Sequence, residues 1–375
     1  MNNISEIDLT QAEYYMEDCF ELAKKALGRT SPNPVVGAIV LDKNGLPVGK
    51  GYHQKAGKEH AEVIALKEAG ELAKGGTLVV NLEPCCHFGK TPPCTDLIIK
   101  SQVKEVIFSN YDLNDLVHKT SEKILLENKI KVIPGVLEKE GKELNKFFLK
   151  WIKTKTPWIT LKQAQTLDGK VALGNKKSKW ISGDAARKEV YKLRNQYDAI
   201  LIGASTVEND DPELTVHDLD SGRNPIRVVL DPKLVTKPSA RVYKKDASTV
   251  LVTKSGHLKE KLAGYLKTNE DLSILELPVS SDENIDLKKL FIELGKKEIL
   301  SVLIEAGPTL SGQLVLNNLL DEYVLFISPQ IFGDNSAVSS MNIRPLGDID
   351  KSYKLSIFNH KIIGNDLMIV LRTDH

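Results

Sequence analysis

The chain has 375 residues, 41% hydrophobic and 27% charged, with 51 Lys and Arg against 50 Asp and Glu. At roughly 150 residues per domain this length calls for two or three domains, each able to bury its own core, and the composition excludes a disordered or fibrous chain. A formal charge of +1 argues against the broad basic surface of a nucleic-acid binder, while a small anionic ligand needs only a few placed cations.

Four cysteines (Cys19, Cys85, Cys86, Cys94) are too few for a disulfide scaffold, and three of them fall within ten residues, which points to chemistry. The first residues, Met1 to Asp8, carry neither a basic n-region nor an apolar leader core. No stretch reaches the ~18 uninterrupted apolar residues of a membrane span. A reducing cytoplasm, with no membrane partner, is the expected setting.

In chain order, Thr10-Gln11-Ala12-Glu13 reads as a capping box opening a helix. Met16, Cys19, Phe20, Ala23, Ala26 and Leu27 follow helical spacing up to a stop at Gly28, so Cys19 is expected in the core. Strands are expected over 35–41 and 47–53, with turn chemistry at Asp42-Lys43-Asn44-Gly45 between them. A helix over 60–69, a buried strand over 77–82, strands over 103–109 and 129–133, a helix near 121–128 and another near 139–152 complete this half. Polar Lys153-Thr154-Lys155-Thr156-Pro157 marks the boundary, giving domains 1–152 and 158–375. Beyond it, strands over 158–162, 199–203, 226–230, 250–253, 301–305 and 323–327 alternate with helices near 185–196, 258–267, 287–296 and 309–319. Strand-like 353–358 and 366–371 end the chain. Both halves are therefore α/β on largely buried sheets.

The strongest chemical signal is His60-Ala61-Glu62 followed by Pro84-Cys85 and Pro93-Cys94. One imidazole and two thiolates suit a single tetrahedral Zn2+, and three protein ligands leave a position open for water, as in catalytic zinc sites. His-x-Glu followed by Pro-Cys is the zinc-deaminase signature, in which the Glu moves protons and does not ligate. If His60 starts a helix, Glu62 lies about 200° round it and reaches the water from another direction. Cys94, after Pro92-Pro93, is expected to open a helix whose N-terminus favours the thiolate. A structural zinc site would need a fourth ligand from Cys86 or His87, and adjacent Cys85 and Cys86 can hardly both face one ion.

The loop Leu82-Glu83-Pro84-Cys85-Cys86-His87-Phe88-Gly89-Lys90-Thr91-Pro92-Pro93-Cys94 closely resembles that of the RibD family, the bifunctional enzymes of riboflavin biosynthesis. Ser31-Pro32-Asn33-Pro34-Val35-Val36-Gly37-Ala38 matches the same family upstream. Downstream, Lys162, Leu167-Asp168-Gly169-Lys170, Ser178-Lys179-Trp180-Ile181-Ser182, Asn209-Asp210-Asp211-Pro212 and Glu305-Ala306-Gly307 look like its reductase half. The resemblance implies a cytidine-deaminase-like N-terminal domain and a dihydrofolate-reductase-like C-terminal domain. It implies zinc-dependent deamination of 2,5-diamino-6-ribosylamino-4(3H)-pyrimidinone 5′-phosphate, followed by NADPH-dependent reduction of the ribosyl side chain to ribityl.

Residue by residue, the resemblance makes Glu62 catalytic and His60, Cys85 and Cys94 the zinc ligands. Asn33, His53, His87 and Lys90 would line the deaminase pocket. Lys162, Ser178, Arg194, Leu214, His217 and Glu305 would meet the reductase substrate, and Ala164, Trp180, Thr206, Asp210 and Gly307 the NADPH. Phosphate recognition would rest on Lys90, Lys162 and Arg194. Taken alone, Asn33 reads equally as a turn residue, Lys90 as solvated loop charge, Arg194 as an exposed helix arginine, Trp180 as a core aromatic and Asp210 as a turn residue before proline.

Four departures stand out. Position 217 is His where the family usually has a phosphate-binding Arg, and a largely neutral imidazole lacks the bidentate fork. His118-Lys119-Thr120 replaces the family's Gly-x-Gly, Ser182 a common Thr, and Ala306 a common Gly, which crowds cofactor approach. Two other readings compete: a nucleotide or nucleic-acid deaminase with a non-catalytic C-terminal domain, and a non-enzymatic zinc-binding regulator. Oligomeric state, homo-oligomers included, is open at this level.

Overall fold

The computed structural model describes residues 8–88, 92–114, 117–175, 180–217, 219, 222–279, 284–343 and 347–373. Its contacts divide the chain into two compact units, Met1–Lys155 and Thr156–His375.

The first unit holds helices α1 (Leu9–Lys24), α2 (Ala61–Ala69), α3 (Cys94–Lys100), α4 (Thr120–Glu127), α5 (Glu138–Leu144) and α6 (Lys146–Thr154). Its strands are β1 (Gly37–Leu41), β2 (Pro47–Tyr52), β3 (Thr77–Leu82), β4 (Glu105–Asn110) and β5 (Lys131–Pro134), in the order β2-β1-β3-β4-β5. β1 runs antiparallel to both neighbours, whereas β3, β4 and β5 are parallel. The two-residue side-chain period of a strand sorts the core. Ile39, Leu41, Val79 and Ile107 pack with Met16, Cys19 and Phe20 of α1. Ala38, Val40, Leu78, Val80, Val106 and Phe108 pack with α2, α3 and Leu125 of α4 on the other face. Gly37 permits the close seating of α1, because a Cβ there would stand 2.1 Å from the Cys19 carbonyl oxygen.

Three local expectations are corrected here. The α1 cap is Asp8, whose side chain accepts from Gln11 N at 2.8 Å, and Thr10 lies inside the helix. His60 is extended (φ −74°, ψ 160°) and precedes α2 as its N-cap, so the helical angle between His60 and Glu62 does not apply. The single helix expected over 139–152 is two, broken at Asn145 (φ −104°, ψ 20°). The break lets the Asn145 amide bond Val35 N at 2.9 Å and Val35 O at 3.1 Å.

The second unit is built on nine strands: β6 (Trp158–Thr166), β8 (Ala199–Gly203), β9 (Ile226–Leu230), β10 (Thr249–Lys254), β11 (Leu272–Leu277), β12 (Ser301–Ile304), β13 (Glu322–Ser328), β15 (Ser356–Ile363) and β16 (Asp366–Arg372). Their order is β11-β10-β9-β8-β12-β6-β13-β16-β15, with β7 (Lys170–Ala172) and β14 (Val338–Ser339) forming a separate pair. The first seven of the nine are parallel and the last two add antiparallel. Helices α10 (Leu287–Lys296) and α11 (Pro308–Leu316) cover one face, packed on Leu161, Leu201, Val302 and Ile304. The other face carries α7 (Asp184–Gln196) on Val324 and Phe326, and farther along α8 (Ala204–Asp210) and α9 (Lys259–Leu266) on Ile200, Ile202 and Leu251. Parallel strands buried on both faces explain the unbroken apolar runs of this half.

Candidate active sites

The first site gathers at the start of α2 and α3. His60 sits just before α2, Cys94 opens α3, and Cys85 follows β3 in the intervening loop. His60 Nδ1 lies 3.5 Å from Cys85 Sγ and 3.3 Å from Cys94 Sγ, and the three donor atoms lie within 4.8 Å of one another. A tetrahedral zinc with Zn–S near 2.3 Å and Zn–N near 2.0 Å separates such ligands by about 3.5 Å, so the donor set fits that ion. Cys86 is not part of this group. The two thiols titrate as a pair: their mutual hydrogen bond, with His60 assisting, pushes Cys85 down, while the same bond and burial push Cys94 up. Without an ion, the helix start therefore does not by itself favour the Cys94 thiolate. A bound divalent cation favours the thiolate.

Glu62, in the first turn of α2, is buried, and its Oε2 has no hydrogen-bond partner among the described residues. Burial pushes its carboxyl up, with the positive charge of His60 opposing. A buried carboxylate oxygen with no protein partner is costly unless a ligand or water meets it. His53 is held in one tautomer: Nδ1 donates to Glu59 O at 3.0 Å, leaving Nε2 to accept from Asn33 Nδ2 at 3.0 Å. Burial lowers the proton affinity of His53, which keeps the ring neutral. His87 Nδ1 is likewise buried and unpartnered among the described residues. Lys90 lies outside the described residues. The altered 118–120 stretch is held from below, Glu83 Oε2 accepting from Asp112 N at 3.3 Å and from Lys119 N at 3.2 Å. Lys119 takes φ 57° there.

The second site is a cleft of about 680 Å³ at the carboxyl ends of β8 and β12, the usual ligand position in an open parallel sheet, and alongside the middle of β6. Lys162 and Ala164 from β6, Arg194 from α7, and Glu305 and Gly307 after β12 all line it. Trp180, Thr206, Asp210, Leu214 and His217 complete the expected residues along its walls, whereas Ser178 lies outside the described residues. Leu214 is buried at φ 57°, a strained setting for a leucine. Glu305 accepts two hydrogen bonds from Arg194 and stands 4.0 Å from Lys162 Nζ. Burial works to raise the Glu305 carboxyl, but Arg194 and Lys162 outweigh it and hold the group at about 2. Burial pushes the Lys162 ammonium down, with Glu305 opposing. His217 bonds Thr215 Oγ1 at 2.7 Å and stands 3.9 Å from Glu213.

Two arginines are among the cleft residues that sequence reasoning missed. The Arg187 guanidinium lies 4.4 Å over the ring of exposed Trp180, and Arg241 pairs with Glu213 at the rim. No local signal separates either from a surface arginine.

Comparison with known proteins assigns each half of the chain to a family. The RibD C-terminal domain family matches residues 157–369. The chain belongs to the RibD family. The zinc-binding region of cytidine and deoxycytidylate deaminases matches residues 9–110. The riboflavin biosynthesis protein RibD of Aquifex aeolicus (strain VF5) is 41% identical over 370 residues, 98% of this chain and 99% of that protein. RibD of Escherichia coli (strain K12) is 39% identical, over 87% of this chain and 90% of its own length. Among solved structures, Acinetobacter baumannii RibD superposes with a TM-score of 0.89 at 34% identity, covering 98% of this chain and 100% of that one. The Thermotoga maritima diaminohydroxyphosphoribosylaminopyrimidine deaminase/5-amino-6-(5-phosphoribosylamino)uracil reductase gives 0.85 at 35% identity, covering 97% and 99%. The protein is a bifunctional deaminase and reductase of riboflavin biosynthesis, with a zinc-binding deaminase half and an NADPH-using RibD-type reductase half. Among the described residues no helix is long and apolar enough to cross a membrane.

Proposed function

We propose that the N-terminal unit deaminates 2,5-diamino-6-ribosylamino-4(3H)-pyrimidinone 5′-phosphate and that the C-terminal unit reduces the ribosyl side chain of the product to ribityl. The observation that carries this reading is the buried Glu62 carboxylate oxygen, without a partner among the described residues, beside the converging His60, Cys85 and Cys94 donors. Zinc held by those three residues supplies Lewis-acid activation of the attacking water. Glu62 takes the water's proton and passes it to the ring nitrogen and the departing amine, so that C–NH2 and water become C=O and ammonia. Its raised proton affinity suits it to both transfers. Asn33 spends its N–H on neutral His53 and keeps its carbonyl oxygen as an acceptor for the substrate's ring edge. His87 Nδ1 is a second polar contact.

In the cleft, NADPH supplies the hydride to the sugar carbon exposed by ring opening. Lys162 and Glu305 orient that opened sugar, with Arg194 fixing Glu305. Ala164, Trp180, Thr206, Asp210 and Gly307 are the proposed cofactor contacts, and Leu214 and His217 complete the substrate side. The reducing cytoplasm is the proposed setting, because Cys85 and Cys94, both free thiols, must stay reduced to bind zinc. One coupled assay tests the whole: ammonia release from the diamino pyrimidine, then NADPH oxidation, with and without a zinc chelator. Ammonia without NADPH consumption would sink the second half of the proposal.

A further inference from the structure

Gln163 stands between Lys162 and Ala164 in β6 and borders the cleft with them, yet strand alternation turns its side chain to the face that carries α11, where it bonds Ser311. It is 4% exposed, and both ends of its amide are engaged. Nε2 lies 2.9 Å from Ser311 Oγ, 2.9 Å from Ser340 O and 3.2 Å from Ala306 O, so two N–H groups serve three acceptors. Oε1 accepts from the Tyr323 hydroxyl at 2.7 Å. Ser311 Oγ in turn donates to Gly307 O at 3.0 Å. The surroundings on this face are apolar (Leu161, Leu310, Leu314, Leu325), so a buried amide here is costly unless its partners are fixed.

Two of these bonds reach the turn Ala306-Gly307-Pro308 from behind: Gln163 Nε2 to Ala306 O, and Ser311 Oγ, itself held by Gln163, to Gly307 O. Gly307 has φ −72° and ψ 176°, extended backbone open to any residue, and a Cβ there would meet nothing within 4 Å. Neither backbone nor packing therefore asks for glycine, and the open space in front of it belongs to the cleft. Directly beyond, α11 begins with Pro308 and leaves its next amides without helical partners.

We propose that Gln163 is a positioning residue for the reductase: by holding the Ala306 carbonyl and the Ser311 hydroxyl from behind, it keeps the Gly307 turn presented to NADPH. This inference rests on the proposed contact between that turn and the cofactor.

The test uses the full-length, zinc-loaded protein. Gln163→Met preserves volume and removes every hydrogen bond of the amide; Gln163→Glu keeps the acceptor for Tyr323 and loses the donors. Both should raise Kd and KM for NADPH about tenfold, the loss of roughly one positioned polar network. The reductase kcat should stay within about twofold, the signature of lost binding without lost chemistry. Ammonia release should not change. Ser311→Ala should shift NADPH affinity in the same direction by about threefold and add less than fully to Gln163→Met. A fall in kcat with unchanged KM would mean a smaller active fraction and would overturn the proposal, as would unchanged NADPH affinity. If Gln163→Met does not fold, Gln163→Glu and Ser311→Ala decide by the same criteria. Gly307→Ala separates the two layers. If it leaves NADPH affinity intact, the reading of the turn fails and the inference with it; if it weakens NADPH while the Gln163 variants do not, only the inference fails.

Discussion

Arg194 clasps Glu305 through two hydrogen bonds, Nε to Oε1 at 2.7 Å and Nη2 to Oε2 at 2.9 Å, and its third arm donates to Thr215 O at 3.1 Å. The guanidinium, which lines the cleft, is thereby tied to the carboxylate and to the Thr215 backbone, and it fixes where Glu305 stands. Lysine carries the charge without the planar fork. Arg194→Lys should lower the reductase kcat/KM by about 10-fold or more through misplacement of Glu305, with ammonia release unaffected. Steady-state NADPH oxidation reads the effect, and a wild-type rate would remove the pair from the reaction.

The same pair sets a pH dependence of stability. The Glu305 carboxyl sits at about 2 in the fold against an ordinary 4.5. A depressed carboxyl stabilises the fold fully above its unfolded value, and that contribution is lost as pH falls from about 4.5 through about 2. Denaturant titrations of the second unit's unfolding should show wild type losing stability over this window more steeply than Glu305→Gln. Parallel curves for the two would contradict the assignment.

Metal removal should divide the activities. Stripping zinc with a chelator is expected to abolish ammonia release and leave NADPH binding in the cleft intact, since the ligands lie in the first unit and the cleft in the second. Glu62→Gln should retain zinc, measured by elemental analysis, and lose about 10²- to 10⁴-fold in deamination, the usual worth of a positioned acid–base group. Loss of metal in that variant would make Glu62 a ligand.

His217 offers a gain-of-function test. It lies beside Thr215, Tyr191 and Glu213, with Arg241 and Lys244 pairing to the same glutamate. His217→Arg should lower KM for the phosphorylated substrate of the reductase step by about 3- to 10-fold, the scale of one added charge-assisted hydrogen bond. The deaminase KM is the internal control. A raised reductase KM would show that the phosphate lies elsewhere.

Much of this architecture was legible locally. β3, β8, β9 and α10 fall on the expected residues because an apolar run or a helical period within one short window decides them. Where long-range contacts outbid local preference, the reading slipped. Asn145 leaves the helix to bind the backbone of Val35, 110 residues away. The α1 cap differs for a local reason: Asp8, two residues before Thr10, accepts from Gln11 N and starts the helix ahead of the Thr10–Glu13 capping box. β11, with a half-exposed and partly polar face, and the short β7–β14 pair gave no period strong enough to register.

The sequence by itself pointed to the chemistry of the first site, because the proposed metal donors and proton carrier occupy two compact motifs whose residue types leave zinc little competition. Through resemblance it also pointed to ten of the residues that line the cleft. Only the tertiary structure decided how those groups act on one another: that Glu62 is buried beside the proposed ligands with an oxygen unpartnered among the described residues, that Arg194 is paired with Glu305, and that Gln163 holds the Ala306 carbonyl behind the Gly307 turn. The reason is distance along the chain. Arg194 and Glu305 are 111 residues apart and Gln163 and Ser311 are 148 apart. They meet because the parallel strand order sets β8, β12 and β6 side by side, a neighbourhood that no short window of sequence encodes.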